Sequence, residues 1–346
     1  MYGILIVFFL KKIYNEKIPL KSFPHWQFFI IFFIIVEVSI ILNYPQVKHF
    51  PKKLFHWWLY LPFFITYFFI TTEKVAQKVI ICSLIGASFS SLYGVYEFIF
   101  LSERAKGFYS HALTSANNWA LALILSYIFL LKSKFRDKFF VVTTLIISLG
   151  LLLSESKGPI LYFFILFVFI NFIFLKKKGL FINIAISLCL IASIIFVTPI
   201  QKRFADIYKG INNPNTSTGN RVVLWKNTLK IIKKHPVIGI GGGFKKEIVK
   251  VVGFNLKWKS HPHNAYLTVA VLHGIPALIA LILIFIQLYL KLFKNSNNFY
   301  GILGIFFLTL YLMEGFTENN FGDSEVKMFF WFIMGLIYSQ LRFNEK

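Results

Sequence analysis

Two histidines separated by one proline, in the run His261-Pro262-His263-Asn264, stand where a polar segment enters a long apolar stretch. Pro262 disfavours helical geometry at His261, and Asn264 falls near the first turn of the helix that must follow. The positive end of a helix dipole favours the neutral, proton-accepting form of a histidine placed there. As a metal site the pair is weak, because two histidines at i and i+2 bring no cysteine or carboxylate companion. The spacing alone leaves a structural interfacial histidine as open as a general base.

The elements that position these residues are membrane helices. The chain has 346 residues, of which 57% are hydrophobic and 15% charged. Its mean hydropathy is +0.67. Soluble domains carry about 25% charged residues, and a membrane span takes about 20 apolar ones. Apolar runs at 28–42, 54–71, 75–101, 112–131, 138–153, 158–175, 179–199, 264–290, 298–316 and 327–341 predict ten spans. Residues 1–10 are too few to cross and read as a half-span or a truncated further helix, which sets the expectation at about 10–12. The two cysteines lie inside apolar runs, which argues against a disulfide framework.

The 37 Lys and Arg against 14 Asp and Glu would suggest nucleic acid in a soluble chain. Here they cluster between apolar runs, which excludes a nucleic-acid face and predicts attraction to anionic lipid. Alternating the runs from a cytoplasmic Lys11-Lys12 places 17 basic residues in inside segments and 7 in short outside loops. That bias predicts a cytoplasmic C-terminus. The long segment 200–263 holds the other 13 and falls outside, which the rule permits for long loops. The fold expected is thus an all-α, polytopic helical bundle. Its parts are an N-terminal transmembrane bundle over 1–199, an extracytoplasmic loop over 200–263, and C-terminal transmembrane helices over 264–346.

Within that loop, residues 221–234 place Val222, Trp225, Leu229 and Ile232 on one helical face and most lysines elsewhere. Ser217, Thr218 and Asn220 are cap candidates, and Pro236 is a stop. The segment reads as an amphipathic helix on the outer leaflet, or equally as a cationic helix packed on the bundle. The Gly239–Gly243 run follows no strand and precedes no Lys-Ser/Thr pair, so it reads as a flexible turn and not a nucleotide loop. Glu314, Glu318, Asp323 and Glu325 match no defensible ligand set.

His263-Asn264, nine further residues and then Gly274 resemble the His-(Asn/Ser/Gln)-x9-Gly signature of the bacterial O-antigen ligase and polymerase family. The line TGNRVVLWKNTLKIIKKHPVIGIGGGF at 218–244 resembles that family's Arg-x-x-x-Trp, His-Pro and Gly-x-Gly segments in order. So do SESKGP at 154–159 and RAKGFYSHALTSANNWA at 104–120. Two departures stand out: Lys157 where many relatives carry arginine, and Ile275-Pro276 where ligases commonly have a second glycine.

The resemblance implies a glycosyltransferase of the bacterial inner membrane, acting on its periplasmic face. Glycan would pass from an undecaprenyl pyrophosphate donor to a lipid A-core acceptor in membrane lipid, with no cofactor and no metal. His263 would be the general base and His261 would orient it or bind the donor. Arg221 would stabilise the pyrophosphate leaving group, followed by Lys157 and by Arg104 with Lys106. Asn264 and His111, the latter with Asn117 and Asn118, would bind substrate. Snorkelling to headgroups is the alternative fate of each basic residue. A polymerase extending polyprenyl-linked glycan is the second reading, and a flippase or transporter the third. The third would require broken or charged helices near the bilayer midplane, where Glu37 and Glu97 are the main charges.

Overall fold

The computed structural model of the chain describes residues 24–44, 56–176, 178–179, 181–184, 213, 216–252 and 261–343. Eleven helices are complete within the described residues, and no strand is present among them. They are α1 Trp26–Leu42, α2 Leu61–Phe69, α3 Glu73–Phe100, α4 Ala112–Lys132, α5 Lys138–Leu153, α6 Lys157–Leu175, α7 Ser217–Lys234, α8 Phe244–Val252, α9 Ala265–Lys294, α10 Phe299–Glu314 and α11 Ser324–Phe343. A 3-10 turn, His56–Tyr60, leads into α2. The protein is a polytopic, all-helical membrane protein. Four of the described helices, α3, α4, α6 and α9, are long and apolar enough to cross a bilayer. The expected span 179–199 and the half-span 1–10 lie almost wholly outside the described residues.

The described residues divide into two compact units. One comprises the described parts of Met1–Glu73, Arg221–Ile302 and Lys327–Lys346. Its core is aromatic: Phe29, at 1% exposure, meets the rings of Tyr60, Phe63, Phe64 and Trp331 at centroid distances of 5.1–6.1 Å. Edge-to-face and stacked ring contacts of this kind add to area burial. Gly335 lets α11 come against α2, where a β-carbon would stand 2.1 Å from the Phe63 carbonyl oxygen. The Thr66 hydroxyl bonds the Phe332 carbonyl at 2.9 Å in the same contact.

The other unit comprises the described parts of Lys74–Asn220 and Leu303–Val326. Helix α4 is its centre, buried over nearly its whole length, with α5 and α6 packed on it. Ser126 joins α4 to α5 through the hydroxyls of Thr143 and Thr144 at 2.7 and 2.8 Å. Tyr127 donates to the side-chain amide oxygen of Asn171 on α6. Polar side chains inside an apolar bundle are tolerated when paired in this way.

Candidate active site

The histidine turn belongs to the first unit. His263 has a left-handed backbone, φ 52°, which is uncommon away from glycine and is stored most often at functional sites. Its backbone N–H donates to His261 Nδ1 at 3.2 Å, and the two rings lie 4.2 Å apart. With Nδ1 accepting, a neutral His261 carries its proton on Nε2. Asn264 is the N-cap of α9, its side-chain oxygen accepting the Leu267 N–H at 2.9 Å. The residue expected to bind substrate therefore spends that oxygen on the helix start. Both histidines are half-buried, and Pro262 between them is buried.

Helix α7 holds this turn from the side. The Trp225 indole N–H donates to the Pro262 carbonyl at 2.8 Å. Arg221 lies four residues earlier and therefore on the same face, toward the end of α7 that meets the histidines. The helix begins at Ser217, four residues before the expected start, because Thr216 caps it: its hydroxyl accepts the Gly219 N–H at 3.0 Å. The buried face is Leu224, Thr228, Ile231 and Ile232, whereas Leu229 is 49% exposed. Both stripes satisfy a helical period, so periodicity could not choose between them. Of the two sequence readings, packing on the bundle is the one observed, through a core shared with Ile240, Phe244, Ile248, Ala270 and Val271. Trp225→Phe keeps an aromatic side chain and removes the donor, leaving the Pro262 carbonyl unpaired. A loss of about 1–3 kcal/mol is expected in thermal or denaturant unfolding.

The other end of α7 is fastened by chemistry that the sequence announces. Helix α9 breaks at Gly274, φ 87° and ψ 169°, with Pro276 two residues on. Proline has no N–H, so the Leu272 carbonyl loses its i+4 donor. That carbonyl accepts the Gly241 N–H at 2.7 Å and the Ser39 hydroxyl at 3.1 Å instead. The Ile275 N–H goes to the Pro236 carbonyl at 2.8 Å, and the Val271 carbonyl takes the Ile240 N–H at 2.9 Å. Thus residues 236–241 replace a missing helical turn, as buried backbone polar groups require. A β-carbon on Gly274 would stand 2.0 Å from the Val237 carbonyl oxygen. This corrects the reading of residues 239–243 as a flexible turn. Gly239 and Gly241 hold left-handed backbone, φ 66° and 59°, within that docked segment.

The second unit carries the remaining expected site residues. Arg104 donates to the Ser154 carbonyl at 2.9 and 2.7 Å and to the Ser156 hydroxyl at 3.0 Å, with Glu155 4.0 Å away. Ser156 is the N-cap of α6, so Arg104 braces the helix start that carries Lys157. Lys106 pairs with Glu103 at 2.5 Å and lies 3.8 Å from Glu97. The bond to Glu103 holds its ammonium above the usual lysine range. Buried Glu97 accepts the backbone N–H groups of Lys106 and Gly107 at 2.9 and 2.8 Å, which gives this intramembrane charge a structural partner set.

His111 is exposed at the N-cap of α4, whereas Asn117 and Asn118 are buried at 1% and 4%. The structure therefore does not gather them into one exposed polar cluster. Nor do the acidic residues share one role. Asp323 accepts the Thr114 hydroxyl at 2.7 Å and the Glu325 N–H at 3.1 Å, while Glu314 is fully buried. Burial, with the Glu325 and Asp323 charges behind it, pushes the Tyr109 hydroxyl up to about 12. Sequence reasoning missed the Trp225 to Pro262 bond and the docking of residues 236–241. The signal for the second was Pro276 inside an apolar run, which orphans a carbonyl four residues back.

Residues 142–282 match the profile of the protein family described as O-antigen ligase. The matched part includes α6, α7, the histidine turn and the break in α9, and the 104–120 motif lies before it. A curated protein of Haemophilus influenzae, described only as uncharacterized, is 29% identical over 199 residues. The match covers 51% of this chain and 49% of the relative, so the chain spans about half the length of the curated relative it matches.

Proposed function

We propose that this chain, with its O-antigen ligase family segment, is a membrane glycosyltransferase that moves glycan from undecaprenyl pyrophosphate to a hydroxyl of lipid A-core. The observation that supports this most is the turn His261-Pro262-His263, held by Trp225 beside the end of α7 that bears Arg221. The acceptor oxygen attacks C1 of the donor sugar, the bond from C1 to the pyrophosphate oxygen breaks, and the acceptor proton passes to His263. The leaving group departs as undecaprenyl pyrophosphate, whose growing negative charge Arg221 stabilises through its two-pronged guanidinium. Lys157, the first residue of α6, belongs to the other unit, and the leaving-group role rests on Arg221. His261, whose Nδ1 accepts the His263 backbone N–H, keeps the turn in shape.

The site faces the periplasm in this reading, since polyprenyl-linked glycan is presented there and the basic-residue bias puts the 200–263 segment outside. The protein would lie in the bacterial inner membrane. Arg221 is the residue on which the leaving-group argument turns. Arg221→Ala is expected to weaken donor binding and to lower turnover by about 10²–10³-fold, the range seen when one stabilising donor is removed. Arg221→Lys should restore part of each, because an ammonium keeps the charge and loses the fork. Donor titration and single-turnover transfer measure the two effects separately. Full activity in Arg221→Ala would remove this role.

A further inference from the structure

Three observations in the first unit bear on where α9 meets lipid. Every large apolar side chain of α9 that is strongly exposed lies between Ile275 (41%) and Phe293 (57%). Those 19 residues rise about 28 Å, which matches the roughly 30 Å hydrocarbon thickness. Before Gly274, the described α9 residues are buried or half-buried against α7, α8 and the 236–241 segment. At the level of Gly274 the Pro236 carbonyl bonds Ile275, yet Val237 and Ile238 point outward at 64% and 39% exposure. Exposed Lys233, Lys234, His235 and Pro236 immediately precede them.

We propose that the 235–238 turn is a wedge that dips into the leaflet, with Val237 and Ile238 in the acyl boundary and the preceding lysines on anionic phospholipid headgroups. The hydrocarbon edge then falls at Gly274. Helix α7 stands beside the first part of α9, pinned by Trp225 to Pro262 at one end and by Pro236 to Ile275 at the other. It does not lie flat on the leaflet. The ten helical steps from Asn264 to Gly274 raise the histidine turn about 15 Å above the hydrocarbon edge. Charge complementarity selects the occupant: between residues 221 and 252 the sequence has one acid, Glu247, against eight Lys and Arg. An apolar tip flanked by lysines is the composition that inserts shallowly and binds anionic headgroups.

The test needs no substrate and stands apart from the transferase reading. In a Cys82→Ser, Cys189→Ser background, a polarity-sensitive dye is placed by Val237→Cys, and in a second protein by Lys226→Cys, exposed nearer the histidine end of α7. Both proteins are reconstituted in phosphatidylcholine, alone and mixed equally with phosphatidylglycerol. The Val237 dye should be blue-shifted and quenched by lipid spin-labelled near the headgroup, while the Lys226 dye should be quenched by aqueous iodide. Adding Lys233→Gln and Lys234→Gln should reduce the Val237 blue shift in the phosphatidylglycerol mixture and leave it unchanged in phosphatidylcholine. Ile238→Cys repeats the reading at a second position. Iodide quenching of both sites, or lipid quenching of both, overturns the geometry. A lysine effect that ignores phosphatidylglycerol overturns the headgroup assignment.

Discussion

Replacing His263 with alanine is expected to reduce glycan transfer by about 10²–10⁴-fold while donor affinity stays near that of the parent protein. A left-handed residue before an N-capped helix presents its ring from a rigid turn, and the tie from Trp225 to Pro262 keeps that turn beside the Arg221 end of α7. A base that moves a proton in the transition state contributes to turnover and little to ground-state binding, so the loss belongs in the rate. Single-turnover kinetics with a parallel donor titration separates the two. Unchanged turnover would return His263 to a structural role.

A comparable loss should follow Gly274→Ala, by a different route. The residue would need φ 87°, a conformation that costs an L side chain about 1–3 kcal/mol. Its β-carbon would also enter the space of the Val237 carbonyl, and the obstruction is backbone, which cannot rotate away. The cheapest relief is to expel residues 236–241 from α9, which takes the Ile240 N–H from the Val271 carbonyl and the Gly241 N–H from the Leu272 carbonyl. We expect transfer to be lost, the 236–241 segment to become open to protease, and the protein still to insert, because the lipid-facing part of α9 is untouched. Proteolysis of reconstituted protein measures the release. A protected segment with normal transfer would show that the glycine in the His-Asn-x9-Gly spacing is not required for docking.

That glycine illustrates what was legible in the sequence. Length and hydropathy located the helices well: each predicted run except 179–199, which lies almost wholly beyond the described residues, corresponds to a helical segment. The motif order pointed to His263, Arg221 and Gly274. It could not say what Gly274 does, because its role is a close approach between segments 37 residues apart in the chain. Pro276 carried part of that information through its missing N–H, but the identity of the substitute donors, Ser39 and Gly241, depends on packing. The face of α7 was ambiguous for a similar reason. Trp225 belongs to one apolar stripe and Leu224 to the other, and only the contact with Pro262 separates an indole used as a donor from one used as core. Basic residues were legible as cations and not by partner: Arg104 and Lys106 hold Ser154, Ser156, Glu103 and Glu97.

The most direct test gives the purified, reconstituted protein an undecaprenyl pyrophosphate-linked glycan together with lipid A-core, and follows both lipids by gel mobility and mass. The account predicts glycan on the core, release of undecaprenyl pyrophosphate, no lengthening of the polyprenyl-linked chain, and none of these with His263→Ala. Longer chains on the polyprenyl carrier beside unmodified core would contradict the ligase assignment and make the acceptor a second polyprenyl-linked glycan.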